Sequence, residues 1–299
     1  MRFILLPYSL WEKGKYKKRQ EDSIFPELGM AKADDRLFLL CDGIGGHLDG
    51  NIASSTVCKV MSQYIHDNSE REGPFTDNLV TEAIDKALDA LDNCDPEHAD
   101  DDRRMGTTMT MLKFHSQGCT LAHIGDSRIY HIRQGKDRND TKILFMTTDH
   151  SWINDMVKLG NMTEDEAKNC KQKNIITRAM QANMEHRPKA DICHIEDVRP
   201  DDYFFMCSDG MLNELEDNNL RYIFSKAVAT DEERMEMLKQ VSEDSHDNHS
   251  AHVIRVVDVI KDYEKKEETH VRKSYKHVWL FLFFMVLFAV IACSLFVFL

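Results

Sequence analysis

The chain has 299 residues, of which 42% are hydrophobic and 30% charged, the proportions of a globular protein with one large or two small domains. A formal net charge of −13 argues against nucleic acid as a partner, because a phosphate backbone calls for a basic surface. The eight cysteines form no C-x-x-C pair and most sit inside apolar runs, so they read as reduced core residues and argue against a zinc site.

In chain order, Leu37 to Cys41 reads as a buried strand. Ile52, Ala53, Val57, Val60, Met61, Tyr64 and Ile65 form one helical stripe. Leu79, Val80, Ala83, Ile84, Ala87, Leu88 and Leu91 form a second, within Asp77 to Cys94. Strand-like runs follow at Thr107 to Phe114, Thr120 to Ile124 and Ile129 to Arg133. Gly125-Asp126-Ser127 lies between the last two and reads as a hairpin turn. Tyr203 to Cys207 and Val253 to Ile260 are further strands, with a helix expected over Asp231 to Glu243. Strict β-α alternation is absent, so an α+β domain with antiparallel sheets covered by helices is favoured over a doubly wound parallel sheet.

Residues 1–260 read as one domain, and 261–277 as a polar linker. Residues 278–299 carry no charge over 22 positions, a length of roughly 33 Å as a helix, enough for a bilayer core of about 30 Å. His270, Arg272, Lys273, Lys276 and His277 precede this run and by the positive-inside tendency should face the cytoplasm. The expectation is a single-pass membrane protein with a C-terminal anchor and its main domain in the cytoplasm.

Five segments place an aspartate at the edge of an apolar run: Asp22, Asp42, Asp126, Asp209 and Asp247. Hard divalent cations take oxygen ligands, and carboxylates gathered from strand ends are a common way to hold a pair of them. Asp42 follows Leu37–Cys41 and is succeeded by Gly43, Gly45 and Gly46, where the backbone can approach an ion and offer a carbonyl. Ser208-Asp209-Gly210 repeats that design after Tyr203–Cys207, and Asp247-Asn248 precedes the last strand. Any one of these could be an ordinary tight turn; the shared grammar of apolar strand and terminal aspartate is the stronger signal.

Taken together the segments resemble the metal-dependent serine/threonine protein phosphatases of the PPM, or type 2C, family. Asp42-Gly43-Ile44-Gly45-Gly46-His47 is similar to the bacterial Asp-Gly-Met-Gly-Gly-His motif. Gly106-Thr107-Thr108, Gly125-Asp126-Ser127-Arg128-Ile129-Tyr130, Thr148-Asp149-His150-Ser151, Ile176-Thr177-Arg178-Ala179, Ser208-Asp209-Gly210 and Asp247-Asn248 follow in the family's order. The resemblance implies a central β-sandwich flanked by helices on both faces. It implies that Asp42 bridges two Mn²⁺ or Mg²⁺ ions, that the Gly43 carbonyl meets the second, and that Asp209 and Asp247 meet the first. Glu21 and Asp22 would lie at the other end of the site, as ligands or behind them, and Asp126 would help hold a weaker third ion. Ser151 to Asn174 corresponds to a flap near substrate, with a helix start at Thr163.

The chain departs from the family at informative positions. An arginine that clamps phosphate is usual where this chain has Lys17, which supplies charge without the two-pronged guanidinium. Lys18 or Arg19 would substitute if the loop shifted. Gln20 replaces an asparagine, and Asn213 stands where many members have a third-metal aspartate. His47 reads as a residue that ties down the glycine turn rather than as a proton donor, and His123 as a packed core residue rather than a ligand. The resulting expectation is a phosphatase acting on phosphoserine or phosphothreonine in proteins, with a serine/threonine kinase counterpart, Asp42 and Lys17 serving catalysis. The alternative is a pseudophosphatase that binds phosphoproteins without turnover.

Overall fold

The computed structural model describes residues 1–44, 49–71, 73–95, 104–168, 170, 175–212 and 215–261. Met1–Val259 forms one compact unit. Thirteen strands are described: β1 (Arg2–Glu12), β2 (Ser23–Phe25), β3 (Leu37–Cys41), β4 (Gly43–Ile44), β5 (Gly106–Thr107), β6 (Met109–His115), β7 (Gly118–Ile124), β8 (Arg128–Arg133), β9 (Lys142–Met146), β10 (Met180–Gln181), β11 (Asp191–Ile195), β12 (Asp202–Cys207) and β13 (His249–Ile260). The described helices are α1 (Gly50–Asn68), α2 (Asp77–Cys94), α3 (Trp152–Lys158), α4 (Glu164–Lys168), α5 (Asp209–Leu212), α6 (Asp217–Ile223) and α7 (Asp231–Ser242).

Two five-stranded sheets carry the fold, in the orders β1-β13-β12-β8-β9 and β11-β7-β6-β3-β2, with a small sheet β10-β5-β4 beside them. Side chains of successive residues leave opposite faces of a strand, so a strand covered on both sides must be apolar throughout. Leu37–Cys41 and Asp202–Cys207 are buried at every position. Phe38 and Leu40 meet Phe204, Met206, Ile254 and Phe114 between the two sheets. Leu37, Leu39 and Cys41 face the other way, against Ala53, Val57, Met61, Val80 and Leu88 of α1 and α2. Tyr203, Phe205 and Cys207 face Leu220, Ile223 and Leu238 of α6 and α7. The layers are therefore helix, sheet, sheet, helix, as the apolar patterning and the family resemblance imply.

Several elements match their sequence expectation closely. Asp77–Cys94 is helical with Thr76 capping the Leu79 amide, and α7 begins with a capping box between Thr230 and Glu233. Thr163 caps α4, exchanging hydrogen bonds with Glu166. Of the cysteines, Cys41, Cys58, Cys119 and Cys207 are buried thiols and Cys94 is exposed.

Two expectations are corrected. Gly125-Asp126-Ser127 is not a hairpin turn: β7 pairs with β6 and β11, β8 with β12 and β9, so the chain crosses here from one sheet to the other. Gly125 has φ +110, and an added Cβ there would lie 2.6 Å from Thr108 Cγ2. The second correction concerns the membrane. No helix among the described residues is long and apolar enough to cross a membrane, which overturns the expected single-pass location. Residues 262–299, with most of the expected linker and all of the 278–299 run, lie outside the described residues, as do Gly45, Gly46, His47, Asn213 and residues 171–174.

Gly125→Ala should destabilise the protein by about 1–3 kcal/mol, the cost of a side chain in a backbone region that excludes Cβ. Chemical denaturation of the metal-free protein measures it, and an unchanged midpoint would mean the crossover tolerates a different path.

Candidate active site

Antiparallel register brings the aspartate-bearing strand ends to one end of the sandwich. Ser23 pairs with Cys41, so Asp22 before β2 and Asp42 after β3 emerge side by side. Cys207 pairs with both Arg128 and Ala251, so Asp209 after β12 stands beside Asp126 before β8 and Asp247 before β13. Met109 pairs with Ile124, which sets Thr108 beside the Asp126 crossover.

The backbone around these residues is held by short polar side chains. Asp42 N–H donates to Thr108 Oγ1 at 2.9 Å, and the Asp42 carbonyl accepts from Thr108 N–H and Thr107 Oγ1, each at 2.8 Å. Thr108 Oγ1 also meets Ser127 Oγ at 2.8 Å, which ties the Asp42 strand end to the Asp126 crossover. Ser208 Oγ donates to Asp22 Oδ2 at 2.9 Å and accepts the Ser250 N–H at 3.0 Å, linking both sheets. Gly43 N–H donates to the Glu21 carbonyl at 3.2 Å. A Cβ on Gly43 would lie 2.3 Å from the Gly50 carbonyl oxygen, so only glycine allows α1 to start this close. Thr107 and Thr108 belong to a motif noted in the sequence, but neither they nor Ser208 were read as supports of the site. The signal available was a serine next to three of the five aspartates, in Asp22-Ser23, Asp126-Ser127 and Ser208-Asp209.

Electrostatics set the site apart from an ordinary polar surface. Burial, reinforced by the carboxylates of Asp22, Asp209, Asp126 and Asp247, pushes the Asp42 carboxyl well above its usual range. Burial pushes Asp22 up to about 7 against the hydrogen bonds from Ser250 and Ser208, and pushes Asp126 up to about 7 with help from Asp209 and Asp149. Burial and Asp247 also raise Asp209. Asp22, Asp126 and Asp209 each keep one buried carboxylate oxygen with no hydrogen-bond partner among the described residues. Unpaired buried carboxylate oxygens are costly, and a divalent cation is the partner that satisfies several at once. The donor set, all hard oxygen, fits Mn²⁺ or Mg²⁺ and not a thiophilic ion.

Lys17 stands at the open edge of the cluster. Its Nζ lies 2.6 Å from Asp247 Oδ1 and 3.7 Å from Glu21 Oε2. Burial works against the ammonium, but the hydrogen bond to Asp247 and the charges of Asp247, Glu21 and Asp42 outweigh it and hold the Lys17 pKa above the ordinary lysine value. Gln20 ties the end of β1 to the cluster backbone: its Nε2 donates to the Glu12 carbonyl at 2.8 Å and its Oε1 accepts the Asp22 N–H at 3.2 Å. Arg128 is committed to Asp149 through two bonds of 2.6 and 2.7 Å. His123 is buried, as its place in a strand suggested, with Nε2 2.9 Å from the Thr148 carbonyl.

A family model described as protein phosphatase 2C matches residues 17–250. A Streptococcus pyogenes protein described as of the protein phosphatase 2C type is 31% identical over 223 residues, covering 74% of this chain and 86% of that protein. Protein phosphatase PhpP of Streptococcus pneumoniae is 30% identical over 214 residues, covering 71% and 82%. Among solved structures, the catalytic domain of the serine/threonine protein phosphatase PstP in complex with two manganese ions superposes with a TM-score of 0.65 at 27% identity, over 86% of this chain and 100% of that one. PstP is a protein of Mycobacterium tuberculosis, and the sequence match covers 37% of its full length. With more than half of its residues matched by the family model, and with the fold in common, this chain belongs to the protein phosphatase 2C family.

Proposed function

We propose that this chain hydrolyses phosphoserine and phosphothreonine in proteins, with residues 1–260 as the catalytic domain and a serine/threonine kinase supplying its substrates. The observation that carries this reading is the set of buried carboxylate oxygens of Asp22, Asp126 and Asp209 around Asp42 that have no hydrogen-bond partner among the described residues. Asp42, Asp209 and Asp247, with the Gly43 carbonyl, are the proposed holders of two Mn²⁺ or Mg²⁺ ions. Glu21 and Asp22 flank them and Asp126 serves a weaker third site. Bound there, such a pair supplies Lewis acidity that lowers the pKa of a shared water and neutralises phosphoryl charge.

The chain's own residues do the positioning. Thr107 and Thr108 fix the Asp42 backbone, so its carboxylate is aimed before substrate arrives. Ser208 holds one oxygen of Asp22, and the other has no hydrogen-bond partner among the described residues. Lys17 is the positive side chain at the rim suited to receive a phosphoryl oxygen, in place of the usual arginine. No thiol is needed as nucleophile: Cys41 and Cys207 are buried strand residues, and burial raises the pKa of both. One observation favours the pseudophosphatase alternative, namely that Lys17 is already engaged by Asp247. Manganese binding without turnover of p-nitrophenyl phosphate would select that alternative.

Asp42→Asn should abolish manganese-dependent hydrolysis of p-nitrophenyl phosphate while raising the melting temperature of the metal-free protein, because it removes one member of a repelling cluster. Normal turnover in this variant would dismiss the assignment. Lys17→Ala should raise KM by roughly tenfold, the equivalent of about 1.4 kcal/mol of charge-assisted contact. An unchanged KM would move the phosphate contact to another residue.

The pH dependence has a definite sign. Asp22 and Asp126 titrate near 7 in the metal-free fold, against about 4 unfolded, so the stability they contribute is present at low pH and is lost as pH rises through 7. His115, His150 and His252 are pushed by burial down to about 4 and act oppositely between pH 4 and 6.5, so absolute melting temperatures mix the two effects. The increment in melting temperature produced by Mn²⁺ isolates the carboxylates. It should grow from pH 5.5 to 7.5, as the cluster sheds the protons that compete with the ion. An increment independent of pH would mean that manganese binds elsewhere.

A further inference from the structure

Behind the Asp126 crossover, His123, His150 and Asp191 bring three metal-ligating atoms within 4.8 Å of one another. Their surroundings are those of a hydrogen-bond relay, not of a metal site. His150 Nδ1 accepts the Gly125 N–H at 3.0 Å, which uses the lone pair an ion would need. Arg178 Nη1 lies 2.9 Å from His150 Nε2 and 2.6 Å from Asp191 Oδ1, so a guanidinium already supplies the positive charge. The two imidazoles stack with centroids 4.4 Å apart and planes at 10°, so their in-plane lone pairs run parallel instead of converging.

What the relay grips is Gly125. Residues 125–127 belong to neither ladder, since Ile124 ends its pairing with Met109 and Arg128 begins its pairing with Cys207. In place of ladder bonds, both backbone groups of Gly125 go to one residue. Its N–H donates to His150 Nδ1, and its carbonyl accepts the His150 N–H at 3.0 Å. His150 in turn opens the segment expected to cover substrate. Thr177 N–H donates to the His150 carbonyl at 2.9 Å, Trp152 N–H donates to the Ile175 carbonyl at 2.8 Å, and Ser151 bridges Ile176. With Nδ1 accepting, the ring proton sits on Nε2 and points to Asp191 Oδ2 at 3.3 Å, and Arg178 holds that carboxylate in place through Oδ1. One imidazole thus joins the stem of the 151–174 segment to the peptide that carries Asp126.

We propose that His150 is a positioning residue for Asp126: it fixes the Gly125 peptide from the stem of the 151–174 segment and thereby sets where the Asp126 carboxylate stands for the weakly held ion. This rests on the reading of Asp126 as a carboxylate that meets a divalent cation.

Three variants separate the acceptor from the packing. His150→Asn places an oxygen near the position of Nδ1 and can still accept the Gly125 N–H. His150→Gln carries its amide near Nε2, and His150→Phe keeps the ring without an acceptor. Hydrogen exchange of the Gly125 amide, followed by NMR in the metal-free protein, should show protection in the wild type and His150→Asn. Protection should fall by roughly tenfold or more in His150→Gln and His150→Phe, the loss of a buried hydrogen bond. Calorimetric titration with Mn²⁺ should show the weak-site affinity falling by a similar factor in those two variants while the tight pair is unchanged. Retained protection and weak-site affinity in His150→Phe would overturn the proposal, as would equal losses in His150→Asn and His150→Gln. If the variants fail to fold, the wild type still decides: a scalar coupling between the Gly125 amide nitrogen and His150 Nδ1 is expected, and its absence sinks the clamp. A wild type that binds manganese but does not turn over p-nitrophenyl phosphate would count against the phosphatase reading and leave the clamp standing.

Discussion

Mutual repulsion among buried carboxylates is the constraint from which the rest of this structure follows. Asp22, Asp42, Asp126 and Asp209 are drawn out of water at one end of the sandwich, and each is pushed toward its neutral form by burial and by neighbouring carboxylates, Asp247 among them. Lys17 pairs with Asp247 at the rim, and from there its charge lowers the pKa of Asp209 without cancelling the effect of burial. In the proposed reading divalent cations offset this cost, and the crowding that burdens the metal-free fold would give the site its affinity for them.

The scaffold around that cluster is built to resist its repulsion. Thr108 hydrogen-bonds the Asp42 peptide on one side and Ser127 on the other, and Ser208 joins Asp22 to the β13 backbone. Asn248 Oδ1 accepts the Gly14 N–H at 3.3 Å, and a Cβ on Gly14 would lie 2.3 Å from the Asp247 carbonyl oxygen. The turn after β1 is therefore packed directly on the Asp247 peptide. These contacts bridge the two sheets at the point where their aspartates meet, so fold and site are stabilised by the same hydrogen bonds. The relation to PstP, whose catalytic domain was solved with two manganese ions, places this design within a family that shares the sandwich.

Legibility varied with how local each feature is. The stripe from Leu79 to Leu91 and the runs Leu37–Cys41 and Tyr203–Cys207 announced α2, β3 and β12 because burial on a helix face or on both faces of a strand leaves a periodic or unbroken apolar pattern. β9 and β11 are edge strands with half-exposed residues, and no such pattern marks them. β1 alternates buried and exposed only over its first residues, and it too was missed. The crossover at Gly125 was misread because a glycine-aspartate turn between two strands looks alike whether the strands pair or part. His123 was correctly read as buried, and His150 lay in a motif noted in the sequence, but its stacking on His123 and its hold on Gly125 left no sequence signal, since both contacts join segments far apart in the chain.

By itself the sequence determined the chemistry available: five aspartates at strand edges, a lysine in place of an arginine, no C-x-x-C pair, and the unbroken apolar runs that make two covered sheets. These are properties of residue type and of spacing within a single element, and short-range sterics and hydrophobic burial suffice to fix them. Tertiary structure alone decided that Lys17 rests on Asp247, that Ser208 binds the Asp22 carboxylate and Thr108 the Asp42 peptide, and that the peptide before Asp126 hangs from His150. Each of those contacts joins segments far apart in the chain. Which distant groups meet is set by sheet order and register, quantities that no single stretch of sequence encodes.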